Sequence, residues 1–206
     1  MQFNERRDAM TLETYTAFVL FAIVMTGTPG VGNLTMMAIG QTTGFRSSVP
    51  FLLGTTVGMI CLNTLVSFGL GGVFMASPKT AWAMKIGGMG YILYLAWKIM
   101  VMQLSERRTD RRFSFLEGVF LHPANPKSWA MSVVGFSQIS SPSMSLVEQA
   151  AIFIPTFMVF QMTFHSLWGL GGAAIMRAMR SRAALTAING VLVTVMVGAT
   201  MYALFV

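Results

Sequence analysis

Charge is the scarcest feature of this 206-residue sequence: only 10% of residues are Asp, Glu, Lys or Arg, against 54% hydrophobic. A soluble domain carries about 25% charged residues, so a soluble fold of this size could not cover its own surface. Acids are the rarer sign. There are seven, with none between Thr14 and Ser105 and none after Glu148. The sequence therefore supplies no carboxylate site for a metal or a cationic side chain at membrane depth. The single cysteine, Cys61, excludes an intramolecular disulfide and a thiolate metal cluster; in an apolar stretch it reads as a small packing residue. The two histidines, His122 and His165, form no HExxH pattern, and no paired carboxylates occur at membrane depth. An intramembrane enzyme needs a nucleophile–base or metal constellation, so no catalytic residue, metal or cofactor is expected. The net charge is +7, but the basic residues stand mostly between apolar runs and are not interleaved with aromatics, which argues against nucleic acid.

Long apolar runs are abundant. They cover about Leu12–Ile39, Ser47–Leu70, Ala81–Leu104, Phe113–Ile139, Leu146–Leu170 and Ala183–Val206. A spanning helix needs roughly 20 mostly apolar residues, so the expected fold is an all-α integral membrane protein of about six transmembrane helices. Residues 1–11 form an N-terminal tail, with Met10 an alternative start, and 12–206 form a single transporter domain. Its halves, about 12–104 and 113–206, are joined by the charged loop 105–112. The Arg6–Arg7 pair resembles the start of an export signal, but the run after it is too long and has no small-residue cleavage site. Tyr91, Tyr94 and Trp97 read as interfacial belt residues. Nine basic residues fall in loops one, three and five, or on Lys98 at their edge, and four on the opposite side. The positive-inside rule then makes 40–47, 98–112 and 171–183 cytoplasmic and puts the termini outside. The expected location is the plasma (inner) membrane. The nineteen methionines read as flexible packing filler. Glycines 87, 88 and 90, or 169, 171 and 172, are suited to close helix contacts within one chain or in a homo-oligomer.

Runs one and four are interrupted, at Gly27-Thr28-Pro29-Gly30 and at His122-Pro123-Ala124-Asn125-Pro126-Lys127. Each half therefore opens with a broken helix, and three spans per half invert the second half. Paired broken helices of an inverted repeat mark the binding site of many secondary transporters. Proline lacks a backbone donor and clashes with the preceding turn. In lipid the freed groups must be satisfied by protein or by water in a cavity. The new helix ends present N–H groups suited to a carboxylate. Thr28, Pro29, Gly30, Asn33, Asn125, Pro126 and Lys127 are thus the expected substrate-binding residues. Each asparagine can donate and accept, and Lys127 is the one charge placed at membrane depth; its bland alternative is snorkelling to the interface. His165 and His122 are candidates for a proton relay, against the plainer role of interhelical hydrogen bonding. Glu117 reads as facing the cytoplasm.

TGTPGVGNL (26–34) and HPANPKSW (122–129) resemble the LysE/RhtB family of amino-acid exporters. Thr28-Pro29-Gly30 and Asn33 stand near the family's T-P-G-P-N-like signature, with Asn33 displaced by one; Asn125-Pro126-Lys127 match its N-P-K. The stretch 76–100 resembles its third helix, and Gly54 and Gly58 fit its second. The resemblance implies export of small amino acids or derivatives, driven by the proton gradient. Many members carry an acid where Met59 stands here, which favours a neutral or zwitterionic substrate over a cationic one. A small molecule and the lipid bilayer are the expected partners. The alternatives are a channel, an inorganic- or metal-ion exporter of the wider superfamily, and a non-transporting accessory subunit.

Overall fold

The computed structural model describes residues 11–71, 78–104, 112–179 and 181–205. Most of the tail 1–11, most of the loop 105–112 and Arg180 lie outside the described residues. The described chain is helical, without strands. Its helices are α1 (Leu12–Gly27), α2 (Val31–Thr43), α3 (Val49–Ser67), α4 (Pro78–Leu104), α5 (Phe115–Leu121), α6 (Pro126–Ile139), α7 (Leu146–Ala178) and α8 (Arg182–Phe205). A 3-10 turn, Phe45–Ser48, leads into α3. Phe45–Ser67 and Leu146–Ala178 are each long and apolar enough to cross a bilayer. α1 and α2 pass that test together and meet at a 47° bend. Large apolar side chains such as Leu20, Val24, Phe120, Val159, Leu167 and Val191 are exposed on these helices, a surface that water would not tolerate over such lengths and lipid does. The chain is an all-α membrane protein.

Side-chain oxygens set the helix starts. Thr11 caps α1, and Ser114 with Glu117 and Ser145 with Glu148 form capping boxes at α5 and α7. Helix crossings run on glycine. A methyl group on Gly40 would overlap the Gly169 carbonyl, and one on Gly172 the Met37 carbonyl, so α2 and α7 touch main chain to main chain. Gly54, Gly58 and Gly118 do the same between α3 and α5. Gly88 brings α4 against the Ala124 carbonyl at the second break. Of the glycines suited to oligomer contacts, 88, 169 and 172 are therefore spent inside the chain, while 87, 90 and 171 face open space.

Several boundaries differ from expectation. α7 runs through Ala178, beyond Leu170, because Gly171 and Gly172 continue the helix and Gly172 packs on α2. The stretch 171–183 is thus mostly helix, as are 40–43 and 98–104. Lys98 is not a loop cation. It is buried in α4 and paired with Glu117, which therefore does not simply face solvent. Lys98 also donates to the Arg112 carbonyl and lies over the Phe113 ring. The Tyr94 hydroxyl donates to the Glu117 carboxylate at 2.5 Å and the Tyr91 hydroxyl to the Glu117 carbonyl, so both tyrosines join α4 to α5. Cys61 is exposed rather than packed.

Candidate functional site

The first break keeps its backbone satisfied with side chains. Where α1 ends, Asn33 Nδ2 donates to the Thr26 carbonyl at 2.7 Å and to the Thr28 carbonyl at 2.8 Å. The Trp168 indole donates to the Gly27 carbonyl at 3.2 Å. α2 then begins at Val31 behind Gly30, which offers no side-chain cap. Its first N–H groups lack intrahelical acceptors, as at any helix start. The second break follows the same logic. Trp129 donates its indole N–H to the Pro123 carbonyl at 2.9 Å, and Asn125 Oδ1 caps α6 through the Lys127 N–H at 3.0 Å. Pro126 is the first residue of α6, where a missing N–H costs nothing. The break is a stop and a capped restart rather than a kink forced by a clash.

The two breaks meet. They line one cavity with about 50 Å³ of free space, to which the first contributes Thr28, Gly30 and Asn33 and the second His122, Asn125 and Lys127. A methyl group on Gly30 would lie 3.8 Å from Lys127 Nζ, so this ammonium stands at the mouth of α2. Lys127 is exposed, and no carboxylate pairs with it among the described residues. His165 of α7 completes the set of expected residues on the cavity. Pro29 and Pro126 are not on the lining; they shape the chain around it.

Sequence reasoning missed Gln161, Thr55, Ser128 and the roles of three methionines. Gln161 Nε2 donates to Thr55 Oγ1 at 3.0 Å and to His165 Nδ1 at 2.6 Å. His165 Nδ1 is then an acceptor, and a neutral ring carries its proton on Nε2. That nitrogen packs on Gly32, where a methyl group would come within 2.5 Å of it. His122 Nδ1 pairs with Ser128 Oγ at 3.0 Å. The two imidazoles lie parallel within 7°, their centroids 5.8 Å apart. Met25, Met59 and Met131 supply an apolar wall. The available signal was a glutamine inside an apolar helix, a costly residue in lipid without a partner.

A cavity framed by two broken helices is the arrangement found at the binding sites of many membrane transporters. Comparison with known families agrees. The LysE type translocator model matches residues 23–205, and the chain belongs to that family, whose members are transporters. It is similar to a homoserine/homoserine lactone efflux protein of Salmonella typhimurium, 27% identical over 160 residues, covering 74% of this chain and 77% of the relative. It is also similar to a cysteine/O-acetylserine efflux protein of Escherichia coli, 25% identical over 176 residues, covering 83% and 88%. An uncharacterized membrane protein of Vibrio cholerae is 26% identical over 141 residues, covering 65% and 68%. No solved structure matches.

Proposed function

We propose that this protein is a secondary-active exporter of a small neutral or zwitterionic amino acid or a related metabolite, driven by the proton gradient across the inner membrane. The observation that carries the reading is the convergence of both breaks and Lys127 on one cavity. The substrate carboxylate faces the Lys127 ammonium and the uncapped start of α2, where the helix dipole adds to the attraction. The absence of acids on the lining disfavours a second positive charge on the substrate. The names of the relatives, two kinds of amino-acid-like efflux protein, support the same class. The break between α5 and α6, following that between α1 and α2, is the observation that favours six spans arranged as two inverted halves, with the loop 105–112 in the cytoplasm. With Met59 where the family resemblance implies an acid, we assign proton uptake to the parallel imidazoles of His122 and His165, the titratable groups on the cavity besides Lys127.

The test is efflux of labelled amino acids from vesicles holding the purified protein, with and without an imposed pH gradient. Saturable efflux of a neutral amino acid, accelerated by the gradient, is expected. His165→Gln should keep exchange of internal for external substrate but lose the acceleration. Protein-dependent flux of no amino acid, with the protein folded, would refute the reading.

A further inference from the structure

The cavity carries polar atoms that the carboxylate contacts do not use. Asn33 is 3% exposed and Gln161 1%. Asn33 Oδ1 and Gln161 Oε1 are buried and have no protein donor. The orientation of each amide is fixed by its neighbours. Both Asn33 hydrogens go to main-chain carbonyls, which a flipped amide would face with its oxygen. The Thr55 hydroxyl donates to the Leu52 carbonyl at 2.8 Å, so it needs the donor that Gln161 supplies. Two amide acceptors are therefore left on the lining, one each from α2 and α7, beside His122 Nε2, which is also buried without a protein partner. A buried acceptor without a partner is costly, and such groups call for an occupant that donates. Asn125 is the opposite case. Its oxygen is spent on the Lys127 N–H, so its side chain has donors to offer. The two asparagines, equivalent in the sequence, are thus polarised in opposite senses.

We infer that Asn33 and Gln161 read the substrate's ammonium group, while Met25, Met59 and Met131 take its side chain, so the substrate is a zwitterion with a free amino group and a small uncharged side chain. This rests on the exporter reading and orients the substrate within it, carboxylate to Lys127 and ammonium to the two amide oxygens. Neutral acceptors bind one ammonium without the surplus negative charge that would favour a dibasic substrate. The thioethers are flexible and polarizable, suited to several small side chains rather than one.

Equilibrium binding to the purified protein decides it, with a neutral amino acid preferred by the wild type, its N-acetyl derivative and lysine as probes. The wild type should bind the free amino acid at least tenfold more tightly than the N-acetyl form. Gln161→Leu should weaken the free amino acid by about 10- to 100-fold, the equivalent of one hydrogen bond to a charged group, and narrow its advantage over the N-acetyl form. Gln161→Glu should shift preference toward lysine. Met59→Phe should exclude larger side chains and spare alanine, a readout that does not depend on the Gln161 variants folding. Wild-type binding that ignores N-acetylation, or folded Gln161 variants with wild-type preferences, would overturn this inference and leave the exporter reading intact. Binding of no amino acid by the wild type would overturn both.

Discussion

Gly32 leaves room for one imidazole edge. An added methyl group would meet His165 Nε2 at 2.5 Å and Leu121 Cδ2 at 3.0 Å. Overpacking of this kind costs about 1–3 kcal/mol. Gly32→Ala is therefore expected to lower thermal stability modestly and to cut transport much more, because the displaced ring lies on the cavity. Efflux rate and melting temperature, measured together, check this; unchanged efflux would separate His165 from the pathway. The Lys98–Glu117 pair makes a different prediction. It is nearly buried, and its charged groups also bond the Tyr94 hydroxyl and the Arg112 carbonyl. Its loss should cost more than the ~1 kcal/mol of an exposed pair and less than the ~3–5 kcal/mol of a fully buried one. Glu117→Gln, which keeps the shape, should lower the melting temperature less than Lys98→Met, which also empties the space over Phe113.

Breaks and crossings decide the behaviour of whole elements. Pro155 sits inside the unbroken α7, so proline alone does not interrupt a helix here. What distinguishes the breaks is the supply of side-chain partners for the freed main chain, an asparagine and a tryptophan at each. Trp168→Phe keeps the ring volume near Gly27 but removes its donor. The orphaned carbonyl should cost about 1–3 kcal/mol, seen as a lower melting temperature with the protein still monodisperse. The crossings tolerate less. Gly54→Val or Gly172→Val would drive a side chain into facing main chain, which cannot yield as a rotamer can. Both variants should fail to accumulate as extractable protein, checked by size-exclusion profile after detergent extraction, whereas Gly87→Val, facing open space, should behave as the wild type.

Across the molecule, the ends of most helices and both breaks were legible from Gly, Pro and the apolar runs, because these act locally. α1 ends at Gly27 and α6 begins at Pro126, where the interruptions stand in the sequence. The extent of α7 was not legible, since Gly171-Gly172 looks like a stop until α2 is seen packed against Gly172. Nor was the Lys98–Glu117 pair, whose members belong to different helices and match only when α4 and α5 meet. The cavity's expected residues were found through the breaks, while Gln161 joins it, held by Thr55 behind it, through tertiary packing alone. The inverted arrangement predicts that, in a Cys61→Ser background, a cysteine at Ser114 reacts with an impermeant thiol reagent only from the cytoplasmic side and one at Thr11 only from outside. The same-side reactivity of both would rule out an odd number of spans between them.

The most direct measurement is counterflow of a labelled neutral amino acid into vesicles preloaded with the same amino acid, comparing wild type, Lys127→Ala and Lys85→Ala. Lys127 stands beside Gly30 on the cavity, and Lys85 does not line it. Uptake by the wild type and Lys85→Ala but at least tenfold less by Lys127→Ala, with equal amounts of folded protein, is the predicted result. Counterflow by Lys127→Ala at the wild-type rate would contradict the placement of the substrate carboxylate between the two breaks.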